Sequence, residues 1–508
     1  MNSKAWSAAI VIAALTAAGP AQAGGRHDPG GRHFSARAHF SAGAAGDARE
    51  RGRHHGGGGL PNGLVRVSDD TGIGSPFIPP NQSGTVYLGS QVEPWLAVNP
   101  ADPENMVGFF QEDRWSTGGA RNLVFATTKD GGDTWRNAAV PGITVLSGGS
   151  YERATDPWVD FGPGNRVYGF SLAFDDSTPR NALFVNTSTT GGRTWGAPVP
   201  VIVDTELEFF NDKNALAADS GARSPFRGNV YVAWDRLDDT STPVEDNFTG
   251  PALFSRSTNG GVSFSTPKVI FGTGTNEQTI GDVPVVLPDG TIVVAGTFID
   301  ADANQSIFVV RSTDGGVRWS RPRLVEDEPT YSIPDVRSGD TVPSFAVDRR
   351  TGRIYAAWED ARASVGARDD ILVMSSDDDG RTWSAPVQAN DTPRRDQSAF
   401  TPAIQVDDKG RVGLVYYDLR ADTSPVDDQQ LTTEWFTSSR DGGRTFGKSK
   451  SVTPSFDMAA APEAGGFFLG DYQALGTTGD AFQPFFVAAL LAQADGALGT
   501  DVFVARVK

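Results

Sequence analysis

The chain has 508 residues, no cysteine and a formal net charge of −18 at pH 7. Without cysteine it has neither disulfides nor thiolate chemistry, so any folded domain is held by its own core. The acidic balance repels phosphate and argues against nucleic acid as a partner.

At the N-terminus, Lys4, the apolar run from Ala8 to Ala18 and the small-residue site Ala21-Gln22-Ala23 mark residues 1–23 as a signal peptide. A secreted or periplasmic protein is expected. No later apolar run is long enough to cross a bilayer, so stable membrane insertion is not expected. Residues 24–59 are rich in Gly, Arg and His and poor in large apolar side chains, which reads as a disordered leader. They and the signal peptide precede a single domain over 60–508. All five histidines (His27, His33, His39, His54 and His55) fall in the leader. The domain therefore has no imidazole for a Ser-His-Asp triad or a His-based zinc site. Carboxylates, Tyr, Arg and Lys remain for chemistry.

From residue 60 onward, short runs of Val, Phe, Tyr, Trp and Ile alternate with Gly- and Pro-containing turns, and no long 3.6-residue period occurs. The domain reads as all-β. A lone strand, Leu64 to Ser68, comes first. A phrase of strand, polar Gly-containing turn and strand then starts at Glu93 and recurs from Asp156 and near Asp212, Asp282, Thr341, Thr401 and Asp471. A third strand such as ALFVNTS follows, then an octapeptide, then a fourth strand. The octapeptide occurs six times, ending at Trp135, Trp195, Phe264, Trp319, Trp383 and Phe446. Four antiparallel strands per repeat form the blade of a β-propeller, which covers both faces only when packed in a ring. Seven phrases predict a seven-bladed β-propeller, with six blades as the alternative. The last unit, ending TDVFVARV, lacks an octapeptide and a fourth strand. The lone N-terminal strand is expected to supply that strand and close the ring.

Within the octapeptide, Gly132, Gly316 and Gly443 permit positive φ, and Asp130, Asp314, Asp378 and Asp441 accept hydrogen bonds from the turn's own amides. The closing aromatics, Trp135, Trp195, Phe264, Trp319, Trp383 and Phe446, are expected to cover the core between blades. Thr190 and Asn259 stand where Asp is the rule. Both can still bond to backbone, whereas neither replaces a catalytic carboxylate, so the octapeptide reads as scaffold. The pattern Ser/Thr-x-Asp-x-Gly-x-Thr-Trp resembles the Asp box, or BNR repeat, of the sialidase-like superfamily, over nearly all of 64–508. That resemblance implies a ligand site on the face opposite the boxes.

The second strands end in a recurring polar phrase: Glu112-Asp113-Arg114, Trp234-Asp235-Arg236, Glu359-Asp360-Ala361-Arg362 and Tyr417-Asp418-Leu419-Arg420. The first strands begin near Glu93, Asp156, Asp212, Asp282 and Asp471, read as equivalent positions. Connectivity puts both sets at one mouth. Paired carboxylates, Arg forks and flanking aromatics are the equipment of a carbohydrate site. The catalytic candidates are Asp113, Glu359, Tyr417, Arg236, Arg362 and Arg420. The binding candidates are Glu112, Arg114, Asp156, Asp212, Asp235, Asp282, Asp360, Asp418 and Asp471. Tyr151-Glu152-Arg153, Glu206, Glu208 and Glu277 break the repeat and form a second set. Where the resemblance implies an Arg-Ile-Pro phrase, the chain reads Val92-Glu93-Pro94-Trp95. The expectation is a monomeric propeller binding a carbohydrate, or a cell-surface glycan or protein, at this mouth. The alternative is an exported glycosidase or polysaccharide lyase. An acidic ring at the axis would also suit Ca²⁺, which takes oxygen ligands.

Overall fold

The structure, a computed structural model, describes residues 63–69, 73, 77–242, 245, 247–393, 397–423, 430–491 and 499–508. The expected signal peptide and leader, and every histidine, lie outside them. The described chain is all-β. Its helical elements are three single 3₁₀ turns at Val145–Ser147, Arg362–Ser364 and Met458–Ala460.

Consecutive strands pair as antiparallel quartets. Val86–Val98, Met106–Trp115, Ala120–Thr128 and Arg136–Ala139 form the first. Arg153–Phe161, Val167–Phe174, Asn181–Ser188 and Val199–Asp204 form the next. Phe209–Ala218, Val230–Asp239, Ala252–Ser257 and Lys268–Phe271 follow. Then come Glu277–Val286, Ile292–Ile299, Gln305–Ser312 and Arg323–Asp327. Ser344–Val347, Ile354–Asp360, Asp370–Ser376 and Val387–Gln388 precede Ala399–Val406, Val412–Asp418, Leu431–Ser439 and Lys450–Ser451. In the final sheet Ala474–Thr478, Ala481–Ala488 and Asp501–Ala505 are joined by Leu64–Arg66, with Leu64 opposite Ala505 and Arg66 opposite Phe503.

The first strands of the quartets neighbour one another in chain order, and that of the final sheet returns to Val86–Val98. Second strands are therefore covered on both sides, and all ten residues of Met106–Trp115 are buried. Such strands read as continuous apolar runs rather than alternating ones.

Each octapeptide turn binds its own backbone. Asp378 Oδ1 accepts from the Thr382 amide at 2.8 Å and Asp441 Oδ1 from the Thr445 amide at 3.0 Å. Asp130 and Asp314 accept likewise from Thr134 and Arg318. Asn259 Oδ1 accepts from Ser263 N at 3.1 Å and Thr190 Oγ1 from Thr194 N at 3.0 Å. The aromatic then crosses to the neighbouring sheet. Trp195 stacks 3.6 Å over Phe125, Trp319 meets Phe254 edge-on at 4.7 Å, and Trp135 packs on Phe485 at 5.9 Å. Phe264, Trp383 and Phe446 pack against three further apolar clusters. The turns sit where third strands end, whereas the first-strand entrances and second-strand ends lie where third strands begin. At about 3.3 Å per residue, a strand such as Asn181–Ser188 separates the two by about 25 Å.

Candidate functional site

A repeated backbone irregularity builds the centre of the mouth. Pairing of the first strands shifts register between Val92 and Trp95, Thr155 and Trp158, Asp212 and Ala215, Ile280 and Val283, and Phe400 and Ala403. Each shift holds a residue in the left-handed region: Glu93 (φ 53), Asp156 (φ 49), Lys213 (φ 42), Gly281 (φ 67) and Thr401 (φ 47). A non-glycine residue there costs on the order of 1–3 kcal/mol, and a bulge re-aims the side chain it carries. Here the Glu93, Asp156 and Lys213 side chains converge.

This corrects the equivalence read from sequence. The residue matching Glu93 and Asp156 is Lys213, one after Asp212, and in the following sheet Gly281, one before Asp282. An aspartate stands immediately before the lysine and immediately after the glycine, so a match led by acidic residues falls one position off in each. The central group is an ammonium where a ring of carboxylates is expected.

Lys213 Nζ lies 2.5 Å from Asp471 Oδ2, 3.3 Å from Asp156 Oδ1 and 3.4 Å from Glu93 Oε1. Arg337 grips Asp471 with two donors, Nε to Oδ1 at 2.8 Å and Nη2 to Oδ2. Gln111 Nε2 donates to Glu93 Oε2 and to Thr155 Oγ1, and its Oε1 accepts from Arg114 Nη1 at 2.8 Å. The Arg114 and Arg337 guanidiniums stand 4.8 and 4.4 Å from the centroid of one buried ring, Phe468. Two residues after each bulge, Trp95 and Trp158 stack at 3.5 Å, and Tyr472 meets both edge-on.

This cluster opens into a cavity of about 420 Å³, within the range of small-molecule sites. Glu93, Asp156, Asp212, Asp235, Arg114 and Arg337 form its polar wall, and Phe174, Phe209, Phe210 and Leu237 an apolar one. Burial raises Glu93 to about 7 against the pull of Lys213. Burial likewise raises Asp156 to about 7, with Lys213 opposing and Asp212 adding to the rise. Burial alone would lower Lys213, but Asp156, Asp471 and Glu93 hold its ammonium well above the usual range. Burial would raise Asp471, but Arg337 and Lys213 hold it far below the ordinary carboxylate range. Asp235 is raised by burial, then by Asp212 and Asp282, and Asp282 is raised by burial to about 8. Arg114 is lowered by burial to about 10.

Of the binding candidates, Arg114, Asp156, Asp212 and Asp235 line the cavity, Asp471 anchors Lys213, and Asp282 lies behind Asp235. Glu112, Asp360 and Asp418 do not line it: they are bonded to Gln91, Arg362 and Arg420. None of the six catalytic candidates reaches the cavity. Asp113 pairs with Arg121 at 2.7 Å and accepts from the Gly89 amide. Glu359 accepts from the Thr401 amide at 2.8 Å, buried in a separate acidic group with Asp369 and Asp340. Tyr417 Oη donates to Val487 O at 2.9 Å. The three arginines do not cluster. Arg236 pairs with Asp238 over Phe209, Arg362 with Asp360 and Glu326, and Arg420 with Asp418 and Asp391 over Trp435. The cause is common: an Asp two residues before or after each arginine captures it as a local turn closure.

Among the residues that broke the repeat, Glu152 accepts from the Asp176 and Ser177 amides and so holds the 175–180 loop on the cavity rim. Sequence reasoning missed Lys213, Arg337 and Tyr472. A one-residue shift of the repeat would have exposed Lys213. Arg337 lies in a two-residue strand paired with Phe467–Phe468, outside the repeat, and carried no signal. Among the described residues, no group of three or more Asp, Glu, His or Cys is placed to hold a metal ion.

No protein-family model matches the chain. It is similar over 104 residues, at 29% identity, to a sialidase of Bacteroides fragilis, covering 18% of this chain and 19% of that one. It is similar over 125 residues, at 33% identity, to a sialidase of Micromonospora viridifaciens, covering 21% and 19%. The matched part thus spans about a fifth of the length of these curated relatives. Among solved structures, the Hadza microbial sialidase Hz136 aligns with 88% of this chain and 95% of its own, at 14% identity and a TM-score of 0.45.

Proposed function

We propose that this chain is an exported, seven-bladed propeller of sialidase-like architecture that binds a glycan in the central cavity and hydrolyses a glycosidic bond there. The quartets, the closed circuit of their first strands and the octapeptide turns support the architecture. The observation that carries the chemistry is the Lys213 bridge. Its contacts put one oxygen of Glu93 and one of Asp156 no more than about 7 Å apart, within the reach of a glycosidase carboxylate pair. Asp156 is the proton donor: its Oδ2 has no hydrogen-bond partner and its proton is retained near neutrality. Glu93, with both oxygens engaged by Lys213 and Gln111, is the partner carboxyl, and in its ionised form it faces the developing oxocarbenium. Arg114 and Arg337 supply donors to ligand hydroxyls.

A panel of chromogenic glycosides tests this reading. Turnover that falls at least a hundredfold in Asp156→Asn, with KM little changed, supports it. Absence of turnover on every member would leave a second reading, binding without hydrolysis. The tight ligation of Lys213 by three carboxylates favours that reading, because it ties up the groups that would act. Glycan-array binding by the same preparation distinguishes the two.

A further inference from the structure

We propose that Asp212 and Asp235 form a subsite for a protonated amine, so that the cavity selects an amino sugar over its neutral or N-acetylated counterpart; this rests on the reading of the cavity as a glycan site. The two aspartates are directly opposite each other across paired strands and both line the cavity. Like charges in that register destabilise a sheet, and the pull of Lys213 on Asp235 offsets this only in part. Lys213 is turned to Asp471, Asp156 and Glu93. Arg236, next in chain to Asp235, is drawn off by Asp238 at 2.8 Å. Among the described residues neither Asp212 nor Asp235 forms a salt bridge. Asp235 is only 7% exposed, and its Oδ1 has no hydrogen-bond partner. Its neighbour Asp282 likewise leaves Oδ1 unpartnered, with Oδ2 accepting from Thr279 at 3.2 Å.

Such a pair is completed by a donor-only cation, and an ammonium offers three donors with no acceptor. Ca²⁺ is a poorer fit, since it takes six to eight oxygens and Phe209, Leu237 and Ile280 line the cavity beside the pair.

Calorimetric titration with methyl glucosaminide, methyl N-acetylglucosaminide and methyl glucoside tests the proposal. The expected result is at least tenfold tighter binding of the free amine. That preference should vanish in Asp235→Asn, with the variant shown to be folded by its thermal unfolding transition. Equal affinity for amine and hydroxyl, or a preference that survives Asp235→Asn, would overturn it. If none of the three sugars binds, the glycan reading fails separately, and propylammonium chloride then probes the pair directly. Protection of the native protein against thermal unfolding, absent in Asp235→Asn, retains a cation subsite, and no protection rejects it. Calcium chloride protecting as well as propylammonium would also reject it.

Discussion

Lys213 Nζ and Asp471 Oδ2 lie 2.5 Å apart, although 258 residues separate them in the chain. The contact ties the entrance strand of one sheet to the approach to the final sheet across the middle of the molecule. Removing one partner of a buried ion pair costs about 3–5 kcal/mol, because the other charge is left uncompensated. Lys213→Met is expected to destabilise by that order in urea unfolding. The loss should be larger at pH 8 than at pH 5, where protonation relieves Glu93 and Asp156.

The raised carboxyls set the sign of the pH dependence. Glu93 and Asp156 at about 7, and Asp282 at about 8, hold protons in the native state that the unfolded chain releases near pH 4. Between those values the native state binds more protons, so stability falls as pH rises, by up to about 1.4 kcal/mol per unit for each group. Asp471 is lowered instead. Its contribution is present above the unfolded value and is lost only on strong acidification, outside this window. Calorimetric Tm is therefore expected to be higher at pH 5 than at pH 8, and Asp156→Asn should flatten the slope. A Tm that climbs from pH 5 to pH 8 would contradict these assignments.

The octapeptide residues should affect stability without touching the ligand. Asp378→Ala removes an acceptor for the Thr382 amide and hydroxyl, at about 1 kcal/mol. Trp195→Ala removes the ring stacked on Phe125, at about 3–5 kcal/mol. Both variants are expected to keep wild-type ligand affinity, measured well below their melting temperatures.

Glu359 and Tyr417 provide the matching control at the mouth. Glu359 is buried and leaves Oε2 without a partner, and its proton is held by burial and by Asp369 and Asp340. Glu359→Gln keeps the shape without the charge, so Tm at pH 8 should not drop and turnover should stay within twofold. Tyr417→Phe loses the bond to Val487 and is expected to cost about 1 kcal/mol with unaltered ligand affinity.

The repeats made the architecture legible. Strand, turn and strand in fixed succession announce the sheets, and the missing fourth strand of the last unit points to the lone segment at Leu64. The site was less legible because two features defeat a linear reading. One is a neighbouring aspartate: Asp212 directly precedes Lys213 and takes its place in any match led by an acidic residue. The other is local capture. Arg236, Arg362 and Arg420 look like ligand forks beside a mouth, yet each is satisfied by an aspartate two residues away. Arg337, which does reach the cavity, comes from a connection with no periodicity.

Because Leu64–Arg66 pairs with Asp501–Ala505, the first described strand in the chain must wait for nearly the last to be made before it finds its partner. Contacts of such long sequence separation are slow to form, and until they do, Asp501–Ala505 presents a bare edge to other chains. This pairing also makes Leu64–Arg66, far from any chemistry, the place where a short deletion would leave a sheet edge open to aggregation.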